Sequence, residues 1–197
     1  MGRVEGIWGA AAVLGAVAAG GVAAGRQELP LERRIAERTF PSVFQAWNPA
    51  RVPGADALDV MARHDLAFVS PEQMGVRWEG THPGLAASFA PDSVARGREH
   101  RKALLARNPR MVLLAEIRHR DAPRSWLPEN HPWWMRRADG SREPGWEEGG
   151  YFRLDQRNPA FQEHVARQAR AAVASGVFDG VMLDWWEDRE EHLAIAR

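Results

Sequence analysis

The sequence has no cysteine, which removes disulfides, thiolate zinc sites and cysteine nucleophiles from consideration. It also lacks net charge: 26 basic residues balance 26 acidic ones, so no global field draws in nucleic acid or an anionic membrane. The basic run from Arg96 to Arg110 reads as a solvated helix face. There is no His-Glu-x-x-His pair, no Gly-x-Ser-x-Gly elbow and no glycine-rich phosphate loop, which speaks against a zinc protease, a serine α/β-hydrolase and a dinucleotide site. His119-Arg120-Asp121 matches the core of the protein-kinase catalytic loop, but the glycine-rich loop, strand lysine and Asp-Phe-Gly of that chemistry are missing. Neither a cofactor nor a metal is expected.

What is present is a globular balance of 45% hydrophobic and 26% charged residues over 197 positions, enough for one ordinary domain. Nine tryptophans stand against one tyrosine. An indole offers a flat apolar face with one N–H donor, the kind of surface on which the C–H face of a sugar ring stacks. Some of the nine are expected to fill the core. Trp133-Trp134 and Trp185-Trp186 are adjacent pairs, and neighbours on a strand point to opposite faces, so one member of each is free to face a cleft.

Ile7 to Ala24 is almost wholly apolar, follows Arg3 and ends in small residues before Arg26. That order is the order of a secretory signal. Eighteen apolar residues are also marginally enough to span a bilayer, so an uncleaved membrane anchor through residues 7–24 is the alternative. Richness in alanine and glycine weakens insertion and favours the cleaved signal. Both readings place the folded part outside the cytoplasm: secreted, periplasmic or at the cell surface.

Residues 26–40 read as a linker or helix, and strand-like and helix-like segments alternate thereafter. The expected strands are Ser42–Trp47, Leu66–Ser70, Arg110–Ile117 and Phe178–Asp184. The expected helices are Ala55–His64, Pro91–Arg107, Asn158–Ala174 and one from Glu187 onward, with a stripe of Phe161, Val165, Ala169 and Val173 along the third. A long insertion, Arg118 to about Tyr151, carries the turn signal Asp139-Gly140. Four βα units in series imply parallel strands in an α/β fold. The turn after the first strand, Trp47-Asn48-Pro49-Ala50, has no glycine cluster, which favours a (β/α)8 TIM-barrel type over a doubly wound sheet. A complete barrel takes about 250 residues. Residues 41–197 are therefore expected to hold only the first four βα units, the N-terminal half.

In a barrel, strand ends deliver side chains to the catalytic mouth. The ends here offer Trp47 and Asn48, then Glu72, then Glu116 with Arg118, then Asp184 with Trp185 and Trp186. Glycoside hydrolysis needs two carboxyl groups, one to protonate the leaving oxygen and one to attack the anomeric carbon or activate water. Asp184 and Glu116 are the candidate catalytic residues, and Trp47, Asn48, Glu72, Arg118, Trp185 and Trp186 the candidate substrate-binding ones. The plainer reading of Asp184 is a cap on the next helix, and of Glu72 and Glu116 a pairing with arginine.

His131-Pro-Trp-Trp-Met-Arg-Arg-Ala-Asp-Gly140, Tyr151-Phe-Arg-Leu-Asp155, Asn158-Pro159 and Phe178-Asp-Gly-Val-Met-Leu-Asp184-Trp together resemble glycoside-hydrolase-like TIM-barrel families. The resemblance covers about Pro41 to Arg197. It implies a polysaccharide-degrading barrel in which Asp184 is catalytic or substrate-binding. Met182 stands where α-amylase and α-galactosidase types carry a basic residue, and in many such barrels the partner acid lies on a later strand. The expected function is an exported glycoside hydrolase acting on a poly- or oligosaccharide. The alternatives are a non-catalytic carbohydrate-binding barrel and an inactive truncated fragment.

Overall fold

The computed structural model describes residues 28–38, 42–46, 52–187 and 189–196. The apolar segment 7–24, and with it the choice between signal and anchor, lies outside them, as do Trp47 and Asn48. Among the described residues no helix is long and apolar enough to cross a membrane.

Four strands, β1 (Phe44–Ala46), β2 (Leu66–Val69), β3 (Val112–Glu116) and β6 (Gly180–Met182), form one parallel sheet in the order β1-β2-β3-β6. Each new strand is added on the same side as the last. That sequential order is the one a β/α-barrel requires, whereas a doubly wound sheet reverses direction at a switch point. The described strands do not close on themselves. Register runs straight across the layer, with Leu66 opposite both Phe44 and Val112, and Glu116 opposite Met182.

Helices α2 (Ala57–Met61), α3 (Pro91–Arg107) and α4 (Pro159–Ala174) supply the crossovers, and α5 (Glu190–Ala196) follows β6. Local chemistry fixes their ends. The Asp56 carboxylate accepts the Leu58 N–H at 2.8 Å and opens α2. Pro91 starts α3 with the φ a first helical turn needs, and Asn108 stops it, its side-chain amide donating to the carbonyls of Ala62 and His64 at 3.0 and 2.9 Å. The Asn158 side chain caps α4 through the N–H groups of Ala160 and Phe161. Mid-helix Gly97 is required by close packing, because a Cβ there would run into Val76 and Val177.

The core lies between the sheet and these helices. Ala67, Phe68 and Val69 of β2 and Val112, Leu113 and Ala115 of β3 are all buried, as a parallel strand covered on both sides must be. On α4 the buried stripe is Phe161, His164, Val165, Gln168 and Ala172, with Val173 left 47% exposed. The stripe therefore turns away from Ala169 and Val173 toward Gln168, whose amide donates to the carbonyls of Pro83 and Ala86 at 2.9 Å each. A polar side chain wins the buried position because two loop carbonyls need its protons.

One expectation is corrected, and the insertion gains a structure the sequence did not specify. The last strand is shorter than Phe178–Asp184: the ladder ends where Ile117 donates its N–H to the Met182 carbonyl, so Asp184 sits in the turn beyond the strand. The insertion is not plain loop. Its ends pair as a small antiparallel sheet of β4 (Asp121–Pro123) and β5 (Tyr151–Arg153), with Ala122 opposite Phe152. Isolated bridges Arg136–Arg142 and Pro144–Phe152 fold the intervening chain back onto it.

At the amino-terminal end of the strands, a short helix α1 (Leu31–Ala36) is fastened to the layer by charge. Arg34, 2% exposed, pairs with Asp179 and donates to the Met111 carbonyl at 2.6 Å. Arg101 from α3 reaches the same Asp179 oxygen at 2.7 Å and also holds Glu28 at 2.5 Å. The Leu113 N–H donates to the other Asp179 oxygen at 2.9 Å.

Candidate active site

A cavity of about 550 Å³ opens at the carboxyl-terminal ends of β2, β3 and β6, a volume typical of ligand pockets. Four chain segments build it. The end of β3 contributes Glu116 and Arg118, the turn after β6 contributes Asp184 and Trp185, and the insertion contributes Asp121, Trp146 and Tyr151. Ser70 and Gln73 complete the wall after β2. Parallel strands point their carboxyl ends the same way, so residues far apart in sequence meet at one mouth.

Glu116 is the most constrained acid. It is the last residue of β3 and only 6% exposed. Arg118 lies 3.2 Å away, but its attraction does not offset burial, and Asp184, Glu72 and Asp121 add repulsion. Burial together with those like charges holds the Glu116 carboxyl above the usual glutamate range. A carboxyl tuned upward keeps its proton closer to neutrality, which is what a general acid needs.

Asp184 differs. It is half-buried, lines the cavity, and makes no hydrogen bond or ion pair among the described residues. The helix-cap reading does not hold for it, because α5 starts at Glu190 and no backbone N–H of that helix reaches it. Its neighbour Trp185 has φ of 60°, the left-handed region that a bulky side chain rarely adopts. Strain of this kind turns the chain sharply after Asp184 and leaves the indole 57% exposed at the cavity wall. The Arg120 guanidinium sits over the Trp185 ring at 4.3 Å.

The other expected residues fall differently. Arg118 lines the cavity and stacks over Tyr151 at 4.7 Å. Glu72 is exposed on a 3-10 turn (Pro71–Met74) whose Pro71 and Met74 are buried; it lies outside the cavity lining and acts on Glu116 through charge alone. Trp186 also lies outside the lining, with its ring against His119 and His192 at 6.0 and 5.3 Å. The alternation of neighbours is the right idea applied to the wrong backbone, since the pair sits in a turn rather than a strand. His119 is 1% exposed, and burial, with His192 and Arg120 nearby, pushes its pKa down to about 4. It is therefore neutral at physiological pH. Among the described residues no group of three or more histidines and carboxylates is arranged to hold a metal ion.

Sequence reasoning missed Asp121, Trp146 and Tyr151. Asp121 is buried, takes Arg120 at 3.0 Å and accepts the Trp146 N–H at 3.0 Å, so its carboxylate ties the insertion to the end of β3. The only sequence hint is the turn-rich stretch between Asp121-Ala-Pro and Tyr151-Phe-Arg, and it does not give the register in which they pair.

No family model matches the chain, and no curated protein sequence does. Among solved structures the chain is similar to a maltogenic alpha-amylase from Thermotoga neapolitana, at 15% identity and a TM-score of 0.46, over 75% of this chain and 40% of that one. It is also similar to the glycoside hydrolase domain of PelA from Pseudomonas aeruginosa, at 13% identity and a TM-score of 0.44, over 79% of this chain and 52% of that one. The chain thus spans about half the length of these structures, or less. Similarity at this level assigns neither an activity nor a residue role.

Proposed function

We propose that this chain carries the acid-bearing mouth of a glycoside hydrolase of the β/α-barrel type, exported through its apolar amino-terminal segment. In this reading Glu116 is the proton donor to the departing glycosidic oxygen. Asp184 is the carboxylate that attacks the anomeric carbon or activates water for that attack. The observation that carries the reading is the pairing of two unlike carboxyl groups in one cavity: Glu116 buried and held protonated to higher pH, Asp184 unclaimed by any hydrogen bond among the described residues. Environments that differ this way divide acid from base in carboxylate pairs. Trp185 supplies a stacking face beside Asp184, and Arg118 orients Glu116.

The test is hydrolysis of a panel of neutral oligosaccharides by the full chain and by Glu116→Gln and Asp184→Asn. Each variant is expected to lower turnover by about 10²- to 10⁴-fold, the usual share of a positioned acid or base. Full activity in either variant removes that residue from the proposal. Binding without turnover in the wild-type chain favours a carbohydrate-binding role on the same fold.

A further inference from the structure

Trp146 is a large apolar ring held out into solvent by a loop built to hold it. It is 49% exposed and lines the cavity from the insertion, whereas Trp185 lines it from the turn after β6. Exposure of a tryptophan in a floppy loop would mean little, but this loop is stapled. Gly145 donates its N–H to the Tyr151 carbonyl at 2.8 Å, and Tyr151 donates back to the Trp146 carbonyl at 3.0 Å. The Trp146 N–H is fixed on the buried Asp121 carboxylate at 3.0 Å. Gly149 packs against the indole, so close that any Cβ there would collide with ring atoms Cε3 and Cζ3. Tyr151 meets the ring edge-on, with centroids 5.2 Å apart and planes at 78°. Gly145 is equally confined, since a Cβ there would strike the Asp121 side chain. The indole is therefore packed against the Gly149 backbone and braced by Tyr151. The solvent-exposed remainder borders the cavity that holds Glu116 and Asp184.

We infer that Trp146 is a second sugar-stacking platform, which with Trp185 makes the cavity a groove for a glycan chain of several units rather than a pocket for a single sugar. This rests on the carbohydrate reading of the site. Two indoles presented by different chain segments, in the same cavity as the carboxyl pair, suit a ligand with more than one ring to stack. Asp121 is then a positioning residue: its carboxylate sets where the platform stands.

The test is tryptophan-fluorescence titration of the full chain carrying Asp184→Asn, which blocks turnover, with neutral ladders of two to about seven units of α-glucan, β-glucan, xylan and chitin type. For the ladder that binds, affinity is expected to rise with length. Trp146→Ala is expected to weaken the long members by about tenfold, the scale of one aromatic contact, and to leave the two-unit member nearly unchanged. Gly149→Ala, which keeps the indole but displaces it, is expected to flatten the same length dependence, and Trp146→Phe to restore part of it. Unchanged length dependence in Trp146→Ala overturns the inference, as does the absence of length-dependent binding by every ladder. Length-dependent binding lost in Trp146→Ala, together with no hydrolysis by the wild-type chain, keeps the platform and overturns the hydrolase reading alone.

Discussion

At the amino-terminal end of β6, Asp179 is surrounded by partners; just past the carboxyl-terminal end of the same strand, Asp184 has none among the described residues. Both aspartates flank one short parallel strand, so the contrast comes from what the rest of the chain brings to each end. The floor gathers Arg34, Arg101 and a backbone N–H around Asp179. Burial alone would push that carboxyl up, but these partners outweigh it and hold it below the usual aspartate range. The mouth gathers Glu116, Asp121 and Asp184 around one cavity, raises the first of them, and keeps Trp185 in a left-handed backbone conformation. The floor uses charge to fix the fold, and the mouth tolerates charge that folding alone would not choose. Parallel barrels commonly divide labour in this way, with chemistry at the carboxyl ends of the strands.

The largest effect is expected from breaking the floor. Asp179→Asn removes the buried counter-charge of Arg34 and Arg101 and leaves them only the half-exposed Glu28, and a loss of about 3 kcal/mol in urea unfolding is expected, the lower end for removing one partner from a buried pair. A loss below 1 kcal/mol would mean that α1 and its arginine are not held by this cluster.

The pH dependence sharpens the contrast, because the two ends carry opposite signs. Asp179 has a depressed folded pKa, so its contribution is fully present above the ordinary aspartate pKa and is lost as pH falls through the depressed value. Glu116 has a raised one, so the unfolded chain releases that proton first. Stability then falls as pH rises from the ordinary glutamate value through the raised one. Unfolding curves of wild type and Asp179→Asn are expected to converge in acid. Those of wild type and Glu116→Gln are expected to diverge as pH rises.

A smaller effect tests the strain at the mouth. Trp185→Gly relieves a left-handed backbone costing about 1–2 kcal/mol and gives up a stacked guanidinium worth about 0.5–1 kcal/mol, so a gain of roughly 0.5–1 kcal/mol is expected. The same variant should bind oligosaccharide more weakly. Loss of stability in this variant would show that the indole holds the turn in place rather than being carried by it.

Much of the scaffold was legible because local signals coincided. Pro91 and Asn108 bound α3, Asn158-Pro159 opens α4, and the short continuous apolar run around Leu113 reads as a strand covered on both faces. Glu116, Arg118, Asp184 and Trp185 followed from one rule, that strand ends meet at a mouth. What was not legible depends on contacts remote in sequence. Asp121 and Trp146 join the site only because β4 pairs with β5 across the whole insertion, and no short-range pattern sets that register. Glu72 falls outside the lining because Pro71 opens a 3-10 turn that carries its side chain to solvent. Gln168 replaces Ala169 on the buried stripe of α4 because loop carbonyls compete with hydrophobicity for that face. Trp186 departs from the cavity because the positive φ at Trp185 rotates it toward His119 and His192.

The mouth holds Glu116 against the interest of folding, while the floor holds Asp179 in its favour. Urea unfolding of Glu116→Gln and Asp179→Asn beside the wild-type chain at neutral pH tests it most directly. The account predicts opposite signs, with Glu116→Gln more stable than wild type and Asp179→Asn less stable. Two variants destabilised alike would contradict it, because Glu116 would then be a structural ion-pair partner of Arg118 and no poised acid.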